Sequence, residues 1–217
     1  MTVRGVVFDL DGTLVDSGLD FAAMRREMGF PERVPILEAL AEIPPGEQLD
    51  ACLRILDRHE REGAERATLM PGAGDFLAEL TARDIPQAIL TRNSRDCTAR
   101  VLQRLGLSFP CVVTREDVPP KPDPAGLLKI CSIWRAPVAE VIFVGDYLHD
   151  INCGRNAGMR TVLFAPNGIP HYSSLADFCV TDFAEAGRLF SRLLTDGTPT
   201  RRGREPENGI AEKRLLG

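Results

Sequence analysis

No stretch of this sequence approaches the roughly 18 consecutive apolar residues that a membrane-spanning helix requires. An excess of positive charge is missing too. The formal net charge of −5 leaves no electrostatic footprint for nucleic acid or an anionic membrane. Arg201, Arg202 and Arg204 near the end are too few to change that. The cysteines (Cys52, Cys97, Cys111, Cys131, Cys153 and Cys179) are scattered without a CxxC pair. That pattern argues against a zinc site or disulfide framework and for small buried hydrophobes in a reducing compartment. Met1 to Val7 carry one Arg and run straight into a strand-like segment, without the apolar stretch and small-residue cleavage site of a secretory signal. There is no internal repeat. These absences predict a cytoplasmic protein that binds neither nucleic acid nor membrane.

What is present is an ordinary globular composition, 44% hydrophobic and 26% charged over 217 residues. That length holds one core, or one core plus a small inserted module, without help from disulfides or structural metals. Val3 to Phe8 is short, β-branched and mostly apolar, and ends at Asp9, as a buried strand would. Gln87 to Leu90, Cys111 to Thr114, Val141 to Val144 and Thr161 to Phe164 resemble it. Helical spacing intervenes, with Phe76, Leu77 and Leu80 in one segment and Cys97, Val101 and Leu105 in another. Asp123-Pro124 opens a third, with Leu127, Leu128 and Cys131 on its apolar face. Such alternation predicts an α/β fold, a three-layer Rossmann-like core with a mainly parallel sheet.

One segment breaks the alternation. Between Asp16 and Thr68 there is no strand signal. Three helical patterns occur there instead: Phe21, Met24, Met28; Leu37, Leu40, Ala41; and Leu49, Cys52, Leu53, Leu56. Pro31, Pro35, Pro44 and Pro45 divide them. The expected organisation is therefore a discontinuous core at 1–15 and 69–195, a small all-helical insertion at 16–68, and a mobile tail at 196–217.

Four short motifs carry chemistry. Asp9-Leu10-Asp11-Gly12-Thr13-Leu14-Val15-Asp16-Ser17 follows the first strand, placing the Asp9 and Asp11 carboxylates at the sheet edge where open α/β folds bind ligands. Carboxylates that close need a cation between them or a shared proton. A surface Asx turn is the plain alternative. Gly145-Asp146-Tyr147-Leu148-His149-Asp150 follows another strand, and its two carboxylates either meet one ion or merely charge a helix N-terminus. Thr91, followed by Arg92, Asn93 and Ser94, leads into a helix whose N-terminus is an anion site, a helix cap, or both. Lys121 sits among four prolines that stiffen its loop, although a single Lys is ordinarily solvated.

Together, in this order and at strand ends or in the loops that follow, the four motifs resemble the haloacid dehalogenase superfamily and its aspartyl-phosphate phosphatases, in the phosphoglycolate-phosphatase-like branch. The resemblance spans about residues 3–190. It implies that Asp9 is the nucleophile and a Mg²⁺ ligand. Asp11 would be the general acid/base, with its backbone carbonyl on the metal. Asp146 and Asp150 would complete the metal site, and Thr91, Arg92 and Lys121 would hold phosphate, Arg92 through its side chain or its N–H. The insertion would be the family's cap, and the partner a small phosphorylated metabolite acted on by a monomer or weak homodimer. A sugar-phosphate mutase on the same core is the enzyme alternative. A silent phosphate-binding or regulatory protein is the non-enzyme one.

Arg25 and Arg26, with Arg33 in the next loop, are candidates to clamp a second anionic group on the substrate, against a reading as solvated surface. His149 has no obvious use at a hard-cation site. His59, in the run Asp57 to Glu62, reads as part of a solvated helix face, and His171 as a loop residue without a partner.

Overall fold

The structure is a computed structural model and describes residues 3–195; the tail expected at 196–217 lies outside them. Six strands form one sheet in the order β5-β4-β1-β6-β7-β8. They are β1 (Gly5–Phe8), β4 (Gln87–Leu90), β5 (Cys111–Val113), β6 (Val141–Gly145), β7 (Arg160–Phe164) and β8 (Phe178–Val180). Every pairing between them is parallel. From β1 the chain builds outward to β4 and β5, then returns to the other side of β1 for β6, β7 and β8. The strand order thus reverses between β1 and β6, the point at which open parallel sheets form a crevice at their C-terminal ends.

The continuous apolar character of the strands follows from burial on both faces. Val6 and Phe8 face an apolar cluster with Phe76, Leu77 and Leu80 of α4 (Ala73–Ala82), Val101 of α5 (Arg95–Leu105) and Phe183, Leu189 and Phe190 of α8 (Phe183–Thr195). Val7, between them in sequence, points the other way. It joins Leu127, Ile130 and Cys131 of α6 (Ala125–Trp134) and Cys153 of α7 (Leu148–Ala157). This is the expected three-layer α/β core. Leu128 is not part of it: the buried stripe of α6 runs Leu127, Ile130, Cys131, and Leu128 lies a quarter-turn away, exposed. The short strand β8 was not marked by sequence pattern. Five cysteines are buried, Cys179 is half-buried, and all six are free.

Between β1 and β4 the chain leaves the sheet. Strands β2 (Val15–Asp16) and β3 (Thr68–Leu69) pair antiparallel at the border, a feature the sequence pattern does not mark. They bracket α1 (Phe21–Met28), α2 (Ile36–Ala41) and α3 (Glu47–Arg66). These helices bury a cluster of their own: Met24, Met28, Ile36, Leu40, Cys52 and Leu56. Phe21, Ala41 and Leu53, expected on the same faces, are exposed. Asp20 caps α1 by accepting from the Ala23 N–H at 2.8 Å, and Gly29 ends it in the left-handed conformation.

The charged run in α3 departs from a solvated face. His59 and Glu60 are buried, at 7% and 5% exposure. α3 packs on α5, so Glu60 meets the Ser94 N–H at 3.4 Å and forms an ion pair with Arg115, while His59 Nε2 lies 3.0 Å from Glu27 Oε1. Removing one member of a buried pair leaves the other charge uncompensated. Glu60→Ala is therefore expected to destabilise the protein by about 2–4 kcal/mol in urea unfolding, and Glu60→Gln by less.

Candidate active site

The loop after β1 is wound tightly: the Gly12 N–H donates to Val15 O at 2.7 Å and the Leu14 N–H to Leu10 O at 2.9 Å. Gly12 is required there twice over. Its φ is +83°, and a Cβ at this position would lie 2.4 Å from Asp146 Oδ2. Across the crevice, a Cβ on Gly145 would stand 2.3 Å from Asp150 Cβ. Gly12 lets the β1 and β6 loops converge, and Gly145 lets Asp150 fold back over the end of β6.

Asp9, Asp146 and Asp150 then each offer a carboxylate oxygen within 4.8 Å of the others. Lys121 Nζ, at 3% exposure, donates to Asp9 Oδ1 and Asp150 Oδ1, both at 2.6 Å. Asp150 Oδ2 accepts the Tyr147 N–H at 3.0 Å, and Asp146 Oδ1 accepts from the Thr13 hydroxyl at 3.3 Å. Burial pushes the Asp9 carboxyl up to about 7, against the pull of Lys121 and with Asp150 adding to the rise. Burial likewise pushes Asp146 up to about 8, reinforced by Asp150 and Asp9. At Lys121 burial opposes the charge, but Asp150 and Asp9 outweigh it and hold the ammonium above its usual range. The donor set is all oxygen, and three carboxylates exceed the charge of one ammonium. A hard divalent cation such as Mg²⁺ fits these residues.

Asp11 is placed differently. Its Oδ1 accepts from the Ser17 N–H at 3.1 Å and the Ser17 hydroxyl at 2.6 Å, and its side chain does not join the three-carboxylate group. The strand ends at Phe8, so alternation no longer governs where Asp11 points once the chain turns at Gly12. Burial raises the Asp11 carboxyl, and the two Ser17 bonds pull it back. Ser17 is part of the first motif, but no sequence signal singled it out.

Thr91 follows β4, the direct neighbour of β1, and is buried at 3% exposure. Its Oγ1 accepts the Asn93 N–H at 3.1 Å, and Ser94 caps α5. The Arg92 guanidinium differs from a phosphate hand: it donates to Lys121 O and to Glu38 Oε2 of α2, both at 2.6 Å. Arg25 donates to Val34 O at 2.9 Å, tying α1 to the following loop, and Arg26 and Arg33 are exposed. Among the described residues no hydrogen bond or ion pair joins Arg25, Arg26 or Arg33 to Asp9, Lys121, Asp146 or Asp150.

A family model described as haloacid dehalogenase-like hydrolase matches residues 22–164, well over half of the chain. The chain belongs to this family. Among curated relatives of this haloacid dehalogenase-like hydrolase, the N-acetylmuramic acid 6-phosphate phosphatase of Pseudomonas putida is 32% identical, over 74% of this chain and 82% of that one. The phosphoglycolate phosphatase of Shigella dysenteriae is 29% identical, over 74% and 80%. The fold is shared with the crystal structure of a predicted phosphoglycolate phosphatase from Haemophilus somnus, at a TM-score of 0.69 and 23% identity over 86% of this chain and 97% of that one. Among the described residues of this hydrolase, no helix is long and apolar enough to cross a membrane.

Proposed function

We propose that this hydrolase is a Mg²⁺-dependent phosphatase that cleaves a small phosphomonoester through an aspartyl phosphate on Asp9. The observation that carries this reading is the placement of one buried ammonium between Asp9 and Asp150, beside Asp146, with the Asp11 carboxyl held apart by Ser17. It separates a nucleophile paired with an ammonium from a residue suited to proton transfer. The names of the phosphatase relatives support the same chemistry.

In this reading an Asp9 oxygen attacks phosphorus, the P–O bond to the leaving group breaks, and Asp11 gives its proton to the departing alkoxide. Asp11 then takes a proton from the water that hydrolyses the aspartyl phosphate, regenerating Asp9. Lys121 and Thr91 hold the equatorial phosphoryl oxygens as charge develops. Asp9 and Asp146 would hold the cation. Asp150, with both oxygens already bonded, serves to aim Lys121 and to complete the cation's surroundings. Bound there, Mg²⁺ supplies the positive charge that lets a carboxylate approach a phosphate dianion.

Residues 16–68 would act as a cap over the crevice, excluding water from the first displacement. Their separate apolar cluster and the Arg92–Glu38 ion pair, which ties α2 to the Lys121 loop, fit that role. The substrate would be a small phosphorylated metabolite, met in the cytoplasm by a monomer or weak homodimer. Asp11→Asn is expected to lower kcat by roughly 10²- to 10⁴-fold toward a poor leaving group. Phosphate release from a panel of phosphomonoesters, with and without Mg²⁺, tests the whole reading. A loss below threefold would place proton transfer elsewhere, and transfer of the phosphoryl group to a second sugar in place of water would mark a mutase.

A further inference from the structure

The chain has two tyrosines and three histidines. Four of these five residues gather beside Asp146. Tyr147 follows it directly and sets its ring 5.3 Å from His149 and 6.1 Å from Tyr172, whose own ring lies 5.4 Å from His171. The Tyr172 hydroxyl reaches Asp146 O at 3.4 Å, anchoring the group to the carboxylate loop. Tyr172 packs against the small apolar cluster of Ile151, Leu163 and Ala165, but Tyr147 is not part of it. Tyr147 is 54% exposed although two rings support it from the side. The rings cross at 52° and 74°, so neither stacks parallel on Tyr147.

The position of the group matters. The Tyr147 N–H donates to Asp150 Oδ2 at 3.0 Å, and Glu38 of α2 reaches the Lys121 loop through Arg92. The ring cluster therefore borders the carboxylate group. The cation on this side, Arg92, is taken up by Glu38 and by Lys121 O. A rim of ring faces with its guanidinium neutralised is poorly suited to a second anion and well suited to an uncharged flat surface.

We propose that Tyr147 is a specificity-determining platform, on which the leaving group of the phosphomonoester lays an uncharged ring face. A pyranose C–H face and an aryl π face share this chemistry. The inference rests on the phosphatase reading and narrows its substrate class, from any small phosphomonoester to a ring-bearing one.

The test compares the full chain with Tyr147→Ala and Tyr147→Phe in Mg²⁺, on two ring substrates (glucose 6-phosphate and p-nitrophenyl phosphate) and two acyclic ones (phosphoglycolate and glycerol 3-phosphate). Tyr147→Ala is expected to lower the ring-to-acyclic ratio of kcat/KM roughly tenfold, about 1.4 kcal/mol, and Tyr147→Phe to preserve it. Inhibition by inorganic phosphate, which has no leaving group, is expected to be the same in all three proteins. A drop confined to p-nitrophenyl phosphate identifies a planar aromatic ring, and one confined to glucose 6-phosphate a sugar. An equal fall on all four substrates, as a packing contact with the insertion would give, or no fall at all, overturns the platform and leaves the phosphatase reading intact. Absence of phosphate release from every substrate by the parent protein overturns both.

Discussion

Asp9→Asn is expected to reduce phosphate release by roughly 10⁴-fold or more, the scale of losing a covalent nucleophile, while leaving thermal stability unchanged or higher. Asparagine keeps the shape of the side chain but lacks an anionic oxygen to form the acyl phosphate. Stability is expected to hold because burial already pushes the Asp9 carboxyl up to about 7, so its charge is held against a desolvation cost. The neutral amide removes that cost and one of three mutually repelling carboxylates, and Lys121 keeps its 2.6 Å bond to Asp150. Activity and stability should therefore part company in this variant. Phosphate release and a thermal melt on the same preparation decide the matter. Turnover within a hundredfold of the parent, or a phosphoryl group trapped on another residue, would sink the assignment.

The core was legible in the sequence because its signals are short-range and redundant. Each strand that carries a motif is a short apolar run ending in a residue that cannot belong to the core, as Phe8 gives way to Asp9 and Gly145 to Asp146. A strand buried on both faces must read this way, so the motif and its position in the sheet were visible together. The helical insertion was legible through its prolines, which fall between α1, α2 and α3. Two-residue strands such as β2 and β3 have no periodicity to detect. Their pairing depends on the chain returning from an excursion of about fifty residues, which no local pattern encodes.

The side chains that sequence reading misplaced are those whose partners come from distant elements. Glu60 and His59 sit in a run that is charged on every side, and only the packing of α3 against α5 decides that these two turn inward. Arg92 was visible as a motif residue, but Glu38, 54 positions away, determines where its guanidinium goes. Asp11 was expected beside Asp9 by strand alternation, but β1 ends at Phe8 and Ser17 takes up the Asp11 carboxylate. Of the tyrosines beside Asp146, Tyr147 stands inside a motif that gives it no role, and Tyr172 stands in none. Their signal is scarcity, which becomes informative only once the fold brings Tyr172 to the β6 loop.

Removal of divalent cations is expected to abolish turnover, with activity restored by Mg²⁺, and to leave a pH signature in stability that does not depend on any assay of activity. Burial pushes Asp9 up to about 7 and Asp146 up to about 8 in the folded protein, against 3.8 for an ordinary aspartate. Between these limits the folded state holds protons that the unfolded state has released. The unfolded state thus binds fewer protons, and the stability of the metal-free protein falls as pH rises through that window. Lys121 is shifted upward and stays charged throughout, so it does not reverse the trend. A cation bound at about pH 8 relieves repulsion among ionised carboxylates, whereas at about pH 5 it must displace protons first. Mg²⁺ at about a hundred times its dissociation constant is therefore expected to raise Tm by about 5–10 °C at the higher pH. At the lower pH the rise should be much smaller. Thermal melts in EDTA and in Mg²⁺ at both pH values measure this. Equal shifts at the two pH values would show that the cation binds away from Asp9 and Asp146, and full turnover in excess EDTA would remove the metal from the mechanism.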